Sequence, residues 1–252
     1  MTKYDEIHQA MILAAGEGTR LRPLTLENPK VLLPIDGTKP LIGYTISWLR
    51  EHDITDIMVN LHYLGDKIKN FLGDGSRFGV KVSYSREDTI LGTAGGVKRV
   101  ENFFDGTFVV VYGDVLTDFD LMEMLQFHYA KKALATLAIV QTTNAKDVGI
   151  VTLDDQGKVT SFVEKPQPEA DTINLVNGGI YILGNDVLEY ITAGAFSDFA
   201  YDVFPTLLKY NLSVYGYILK PRDYLVDIGI AERYYQAGKD IKAGRVKIRY
   251  AE

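Results

Sequence analysis

Short apolar runs separated by helical patterns predict an alternating α/β chain. The first run covers Met11 to Ala15, and further runs predict strands at 57–61, 80–84, 107–112, 134–140, 148–153, 158–163, 178–183 and 213–219. The segments Leu41 to His52 and Asp120 to Ala130 carry apolar residues at helical spacing. Strands that alternate with helices favour βαβ units and a mostly parallel sheet. The crowded short strands between 134 and 183 predict some antiparallel pairing.

The composition fits a single folded domain. With 252 residues, of which 46% are hydrophobic, the chain can bury one substantial core. We find no internal repeat, low-complexity tract or linker, so we expect one domain spanning residues 1–252. No apolar stretch approaches the roughly 20 residues that cross a bilayer, and the first ten residues lack the apolar core of a secretory signal. A cytoplasmic location is the expectation.

The charge and the reactive side chains exclude several classes of function. A net charge of −6 argues against non-specific binding to nucleic acid or to a membrane. The absence of cysteine excludes disulfides, thiolate metal sites and a cysteine nucleophile. Four scattered histidines disfavour a histidine-rich zinc site. Any site for a polyanion must therefore be a local concentration of basic residues and metal ions.

Residues 11–35 (MILAAGEGTRLRPLTLENPKVLLPI) predict such a site just beyond the first strand. Gly16 and Gly18 allow the main chain to approach a ligand and to turn N–H groups towards anionic oxygens. Arg20, Arg22 and Lys30 add three cations within eleven positions. An ordinary turn after a strand is the alternative interpretation, because glycines are common there.

Two common nucleotide motifs do not fit this segment. A dinucleotide fingerprint needs a third glycine where Leu21 stands, and a Walker A loop needs Gly-Lys-Ser/Thr where Gly18 is followed by Thr19-Arg20. The pattern that remains, GxGTRLxPLTxxxPKxLLP, closely resembles the signature of the sugar-1-phosphate nucleotidylyltransferases. Arg22 is interpreted as a structural or surface residue.

A second motif follows the strand predicted at 107–112. Gly113 and Asp114 stand at its end, where ligands gather in a parallel sheet. A carboxylate at this place is suited to Mg²⁺, which prefers oxygen ligands and keeps its phosphates and waters. A helix cap or a turn aspartate is the alternative. In the family that the chain resembles, a metal-binding aspartate occupies this Gly-Asp element.

Three further segments resemble family motifs and occur in family order. They are Leu91-Gly-Thr-Ala-Gly-Gly96 with Glu87 four residues before it, Glu164-Lys165-Pro166 with the later Asn177-Gly-Gly179-Ile-Tyr181, and Tyr224-Leu-Val-Asp227-Ile-Gly229. The last match is imperfect, because Leu225 replaces the usual tryptophan and Ile230-Ala231 the usual Thr-Pro. Asp227 itself is retained. Without the resemblance, a helix-entry loop and a solvated turn would explain the first two segments.

The resemblance implies a Rossmann-like three-layer αβα nucleotidyltransferase fold with a mixed, mostly parallel central sheet. It implies catalytic roles for Arg20, Lys30 and Asp114, and a Mg²⁺ site made by Asp114 and Asp227. The nucleotide-binding set that it implies is Leu13, Ala14, Gly16, Gly18, Thr19, Arg20, Lys30, Glu87, Gly92, Thr93 and Gly113. The sugar-phosphate set that it implies is Glu164, Lys165, Asn177 and Gly179.

Glu87 bears on the choice of base, because the resemblance implies that the side chain four residues before Leu91 contacts the edge of the base. A carboxylate only accepts hydrogen bonds, and guanine offers two adjacent donors, N1–H and N2–H. Uracil and thymine have one N–H between two carbonyls, which would repel a carboxylate. We therefore expect GTP and a sugar 1-phosphate as substrates, with mannose 1-phosphate or a related hexose or heptose phosphate favoured.

Other interpretations and assemblies belong to the same set of expectations. The alternatives are a UDP- or dTDP-glucose pyrophosphorylase and a catalytically silent regulator that binds nucleotide sugars. Arg20, Lys30, Asp114 and Asp227 are all present, which disfavours the silent regulator. The chain lacks the hexapeptide repeats of a left-handed β-helix, so we expect the catalytic domain alone. We expect a homodimer or a higher homo-oligomer, and no nucleic-acid or membrane partner.

Overall fold

The fold is that of a computed structural model, which describes residues 7–143, 148–164, 172–248 and 250. It is mixed α/β with a central, mostly parallel sheet, as the alternation of apolar runs predicted. The chain divides into two compact units. Unit 1 comprises residues 1–90, 110–120 and 222–252, and unit 2 comprises residues 91–109 and 121–221.

The regular elements follow in chain order. The strands are β1 (Gln9–Leu13), β2 (Asp56–Leu61), β3 (Lys81–Arg86), β4 (Phe108–Tyr112), β5 (Val115–Thr117), β6 (Ala135–Thr142), β7 (Ile150–Leu153), β8 (Val159–Val163), β9 (Asn174–Leu183), β10 (Val214–Ile218) and β11 (Leu225–Asp227). The α-helices are α1 (Leu41–Glu51), α2 (Gly65–Leu72), α3 (Gly92–Arg99), α4 (Leu121–Ala130), α5 (Phe204–Lys209) and α6 (Ala231–Lys242).

Unit 1 aligns the carboxyl ends of its strands at one edge. Its strand order is β4-β1-β2-β3, and β1, β2 and β3 are parallel. The register places Leu13 beside Asn60, and Asn60 beside Ser85. The end of β4 lies next to the end of β1, because the Gly113 N–H donates to the Leu13 carbonyl at 2.9 Å. Residues that follow these strands therefore gather at one edge, where open α/β sheets bind ligands.

The first strand ends earlier than the apolar run suggested. The expected strand was Met11 to Ala15, whereas β1 ends at Leu13. The reason is a side chain: the Ala14 N–H donates to Asn60 Oδ1 at 2.7 Å, rather than to a main-chain carbonyl of a neighbouring strand. The chain leaves the sheet at this point and enters the glycine segment.

A short antiparallel pair in unit 1 was not predicted. Strands β5 and β11 pair so that Asp227 faces Val115, and the Ile228 N–H donates to the Asp114 carbonyl at 2.9 Å. The pair packs on a core shared with α1 and α6, whose buried members include Ile35, Leu41, Tyr44, Leu116, Ile228 and Ala237. This pairing brings together two segments that are more than a hundred residues apart.

Unit 2 contains the antiparallel pairing that was expected between 134 and 183. Strand β6 pairs antiparallel with β9 and parallel with β10, and β7 pairs antiparallel with both β8 and β9. The aromatic rings of Tyr181, Phe199 and Phe204 are buried and contact one another in its core.

The close approach at Gly113 generates a first prediction. A methyl group there would lie 2.6 Å from the Leu13 carbonyl oxygen and 2.8 Å from Val31 Cγ1. Gly113→Ala should therefore separate β4 from β1 and lower the free energy of unfolding by roughly 1–3 kcal/mol, measured by urea unfolding. Gly106→Ala is the matched control, because no described atom lies within 4 Å of the added methyl. Equal stability of the two variants would contradict the steric argument.

Candidate active site

The glycine segment after β1 is held in one shape by unit 1. Gly18 has φ of +64°, the left-handed region that favours glycine, and its carbonyl accepts from Thr25 Oγ1 at 2.8 Å. The Thr25 carbonyl in turn accepts from the Tyr63 hydroxyl at 2.9 Å. Gly16 and Thr19 are exposed, so the main chain of this loop is open to a ligand.

The structure brings Asp114 and Asp227 close together. Burial raises the pKa of Asp227, and the charge of Asp114 raises it further. Burial alone would also raise the pKa of Asp114, but the Lys30 ammonium, and less strongly Arg20, outweigh it and hold that pKa below its usual value. Lys30 forms an ion pair with Asp114, and only 16% and 14% of the two side chains are exposed.

Two arginines complete the charge around this acidic pair. Arg20 comes near Gly229, because a methyl group there would lie 2.8 Å from Arg20 Nη2 and 2.7 Å from Asp227 Oδ1. Arg233, on α6, donates to Asp227 Oδ2 at 3.0 Å. Arg22, in contrast, is exposed and pairs with Glu17 at 3.3 Å. The site is therefore a pair of carboxylates surrounded by three cations.

This donor set fits a magnesium ion that arrives with phosphates. Among the described residues, no group of three or more His, Cys, Asp or Glu side chains could hold a metal by itself. Mg²⁺ is commonly bound by one or two carboxylates plus substrate phosphates and water. The repulsion between Asp114 and Asp227 is the kind of interaction that a divalent cation relieves.

Glu87 lies in a buried network at the same edge of unit 1. The side chain follows β3 and is only 2% exposed. Its Oε1 accepts from Asn60 Nδ2 at 2.7 Å, and Asn60 Oδ1 accepts from the Ala14 N–H. His62 Nδ1 lies 2.8 Å from the Glu87 carbonyl oxygen. Asn60 thus connects Glu87 with the start of the glycine loop.

In unit 2, Gly92 and Thr93 begin α3 and contact a distant loop. The Ala94 and Gly95 N–H groups both donate to the Ser197 carbonyl at 3.0 Å. Thr93 Oγ1 donates to Asp198 Oδ2 at 2.8 Å and accepts from the Phe199 N–H at 2.9 Å. The Thr93 hydroxyl is therefore engaged within the protein.

Two of the residues expected to bind the sugar phosphate, Glu164 and Asn177, meet around Gly149. The Asn177 N–H donates to the Gly149 carbonyl at 2.9 Å, and a methyl group on Gly149 would lie 2.6 Å from Glu164 Oε2. The Asn177 side chain donates to the Tyr181 hydroxyl at 2.8 Å and accepts from the Gly179 N–H at 3.2 Å. Lys165 lies outside the described residues.

Sequence reasoning missed two residues of this edge. Asn60 lies inside an apolar run that was interpreted only as a strand, and Arg233 lies on α6, which was not predicted. A polar residue at the penultimate position of a buried strand is the signal that could have identified Asn60. For Arg233, the only local signal is a cation six positions after Asp227.

Comparisons with known proteins give one family. The model of the nucleotidyl transferase family matches residues 9–244. A UTP–glucose-1-phosphate uridylyltransferase of Synechocystis is 40% identical over 95% of this chain and 64% of its own length. A mannose-1-phosphate guanylyltransferase of Mycobacterium tuberculosis is 33% identical over 93% of this chain and 65% of its own. The chain thus spans less than two thirds of these relatives.

A solved structure agrees with these matches. HddC from Yersinia pseudotuberculosis, complexed with GMP-PN, has a TM-score of 0.79 and 26% identity, covering 93% of this chain and 99% of that one.

Within the described part of this chain, no helix has the length and apolar character needed to cross a membrane.

The different environments of the two aspartates predict unequal effects on stability. In the presence of a chelator, Asp114→Asn should lower the free energy of unfolding by about 3 kcal/mol, because Lys30 loses its partner in a mostly buried pair. Asp227→Asn should leave the Tm near that of the wild type, because it removes a charge that Asp114 repels. The Arg233 pair that it also weakens is partly exposed and contributes little. Thermal unfolding of both variants measures the difference, and a larger loss at Asp227 would contradict it.

Proposed function

Because the chain belongs to the nucleotidyl transferase family, we propose that it forms an NDP-sugar and pyrophosphate from a nucleoside triphosphate and a sugar 1-phosphate. The observation that carries this proposal is the acidic pair Asp114 and Asp227 with Lys30 and Arg20, beside an open glycine loop. The arrangement supplies what transfer to a phosphorus centre needs, which is positioning and charge neutralisation.

The proposed reaction is a displacement in line at the α-phosphorus. An oxygen of the sugar 1-phosphate forms the new P–O bond, and the bond to the β-phosphate oxygen breaks, so that pyrophosphate leaves with its electron pair. A phosphate dianion is already a competent nucleophile, so this step needs no serine, cysteine or histidine base. The chemistry therefore agrees with a chain that has no cysteine and scattered histidines.

Residues of unit 1 receive the roles on the triphosphate side. Arg20 and the main-chain N–H groups of Gly16 and Gly18 contact the β- and γ-phosphates. Lys30 stabilises the charge that develops at the α-phosphate, an effect that is largest in the transition state. Asp114 and Asp227 would hold Mg²⁺, whose charge would neutralise the phosphate oxygens.

The EKP and NxGxY motifs receive the roles on the sugar side. Glu164 and Asn177 contact sugar hydroxyl groups, and the contacts of both with Gly149 support a joint role. Lys165 binds the sugar phosphate. These assignments come from the EKP and NxGxY motifs, in which the residue types and their order match the family.

We propose guanine as the base and mannose 1-phosphate, or a related hexose or heptose phosphate, as the sugar substrate. The Glu87 carboxylate only accepts hydrogen bonds, which would match the adjacent N1–H and N2–H donors of guanine. Relatives named as guanylyltransferases and the GMP-PN complex of HddC support a guanine nucleotide. A uridine nucleotide with glucose 1-phosphate is the second candidate, because the Synechocystis uridylyltransferase is 40% identical.

The setting of this activity completes the proposal. Both substrates are highly charged and do not diffuse through a bilayer, so we assign the reaction to the cytoplasm, where nucleoside triphosphates are made.

A silent regulator remains the competing class, and retention of Arg20, Lys30, Asp114 and Asp227 argues against it. The homodimer or higher homo-oligomer stays a prediction.

Release of pyrophosphate tests the proposed activity directly. The purified chain is incubated with Mg²⁺ and each pairing of ATP, CTP, GTP, UTP or dTTP with several sugar 1-phosphates. We expect GTP with mannose 1-phosphate, or with a related hexose or heptose phosphate, to give the highest kcat/KM.

Asp114→Asn and Asp227→Asn should each lower kcat at least ~100-fold in the same assay, which corresponds to about 2.7 kcal/mol of transition-state stabilisation. No pyrophosphate from any pairing would favour the silent regulator.

Glu87→Gln tests the choice of base. The substitution keeps the shape of the side chain but replaces one acceptor by a donor, which would face a donor of guanine. The kcat/KM for GTP should fall roughly ten- to a hundred-fold, as expected for about 1–3 kcal/mol. The relative use of UTP or dTTP should rise. A wild-type preference for UTP, or an unchanged ranking of bases in the variant, would favour the second candidate.

A further inference from the structure

Asn60 is a buried amide between two parts of the proposed nucleotide site. Its side chain is on β2, and the residue is 2% exposed. It accepts from the Ala14 N–H through Oδ1 and donates to Glu87 Oε1 through Nδ2, both at 2.7 Å. The parallel register explains this reach, because Asn60 lies between Leu13 on β1 and Ser85 on β3.

The backbone fixes which way the Asn60 amide points. The two ends of an amide are hard to distinguish from shape alone, so their assignment depends on the partners. The Ala14 main chain offers only an N–H here, so the carbonyl of Asn60 must face it. The NH₂ group must then face Glu87. The Glu87 oxygen that meets it must be an acceptor.

We propose that Asn60 is a positioning residue that determines the preference for the base through the side chain at position 87. The proposal rests on the assignment of Glu87 as the group that contacts the base. Since Asn60 always presents a donor, the acceptor end of residue 87 must turn towards it. With glutamate, the opposite end of the side chain is also an acceptor. With glutamine, the opposite end becomes a donor.

The same logic predicts what happens when the polarity of position 60 is reversed. In Asn60→Asp, one carboxylate oxygen still accepts from the Ala14 N–H, and the other becomes an acceptor towards position 87. Paired with Glu87→Gln, it accepts from the glutamine NH₂ and turns the glutamine carbonyl to the opposite side. The double variant exchanges acid and amide, keeps the total charge and restores an acceptor towards the base.

The experiment measures kcat/KM for GTP and UTP, at saturating sugar phosphate, in wild type, the two single variants and the double variant. Glu87→Gln should shift the GTP/UTP ratio towards UTP by roughly ten- to a hundred-fold. Asn60→Asp places two carboxylates face to face and should lower both the GTP/UTP ratio and the Tm. The GTP/UTP ratio of the double variant should be at least tenfold higher than that of Glu87→Gln.

A purely structural role for Asn60 would give a different result. Recovery of the Tm without recovery of the GTP/UTP ratio in the double variant would overturn the proposal. Gln9→Glu is the matched control, because it makes the same amide-to-acid change at a buried position of β1, at the opposite end of the strand. It should lower stability and leave the ratio unchanged.

The wild-type and Glu87→Gln measurements distinguish an error in the base assignment from an error in the role of Asn60. A wild type that prefers UTP, or a Glu87→Gln variant with an unchanged ratio, would overturn the base assignment and the role of Asn60 with it. A normal response of Glu87→Gln with no recovery in the double variant would overturn the role of Asn60 alone.

Discussion

Two like charges held close together are the constraint on which the rest of the site depends. Asp114 and Asp227 repel each other, and burial makes that repulsion costly. The pairing of β5 with β11 enforces the contact, and a core of apolar side chains from α1 and α6 supports it. Lys30 and Arg233 offset part of the charge. Conflicts of this kind between local preference and overall fold are expected at functional sites.

The sequence indicated the elements whose signal is local. Apolar runs predicted the buried strands of both units, because a strand covered on two faces is apolar throughout. Gly113 and Asp114 were recognised because they follow such a run. Strand β11 has three residues, all only partly buried, so it carries no comparable pattern. Its pairing with β5 joins positions more than a hundred residues apart, and no local propensity encodes that contact.

The contacts of polar side chains were the least predictable part of the site. In the sequence, Asn60 is one residue of the run IMVNL. Only the register of three strands shows that its side chain bridges two loops. Thr93 is a residue that we expect to contact a nucleotide, and the sequence did not indicate that its hydroxyl also bonds to Asp198 and Phe199. A motif identifies the residues of a loop, but it does not show which of their polar groups form hydrogen bonds within the protein.

The contact between the start of α3 and the loop around Ser197 has an evolutionary consequence. Surface loops normally accept insertions and deletions, because few contacts restrict them. Here the Ser197 carbonyl accepts two N–H groups from the first turn of α3, and its neighbours hold Thr93. A change in length within 195–199 would therefore alter the conformation of the Gly92 segment. Related chains that differ in length in this loop should also differ in the segment that begins α3, so the two regions should vary together.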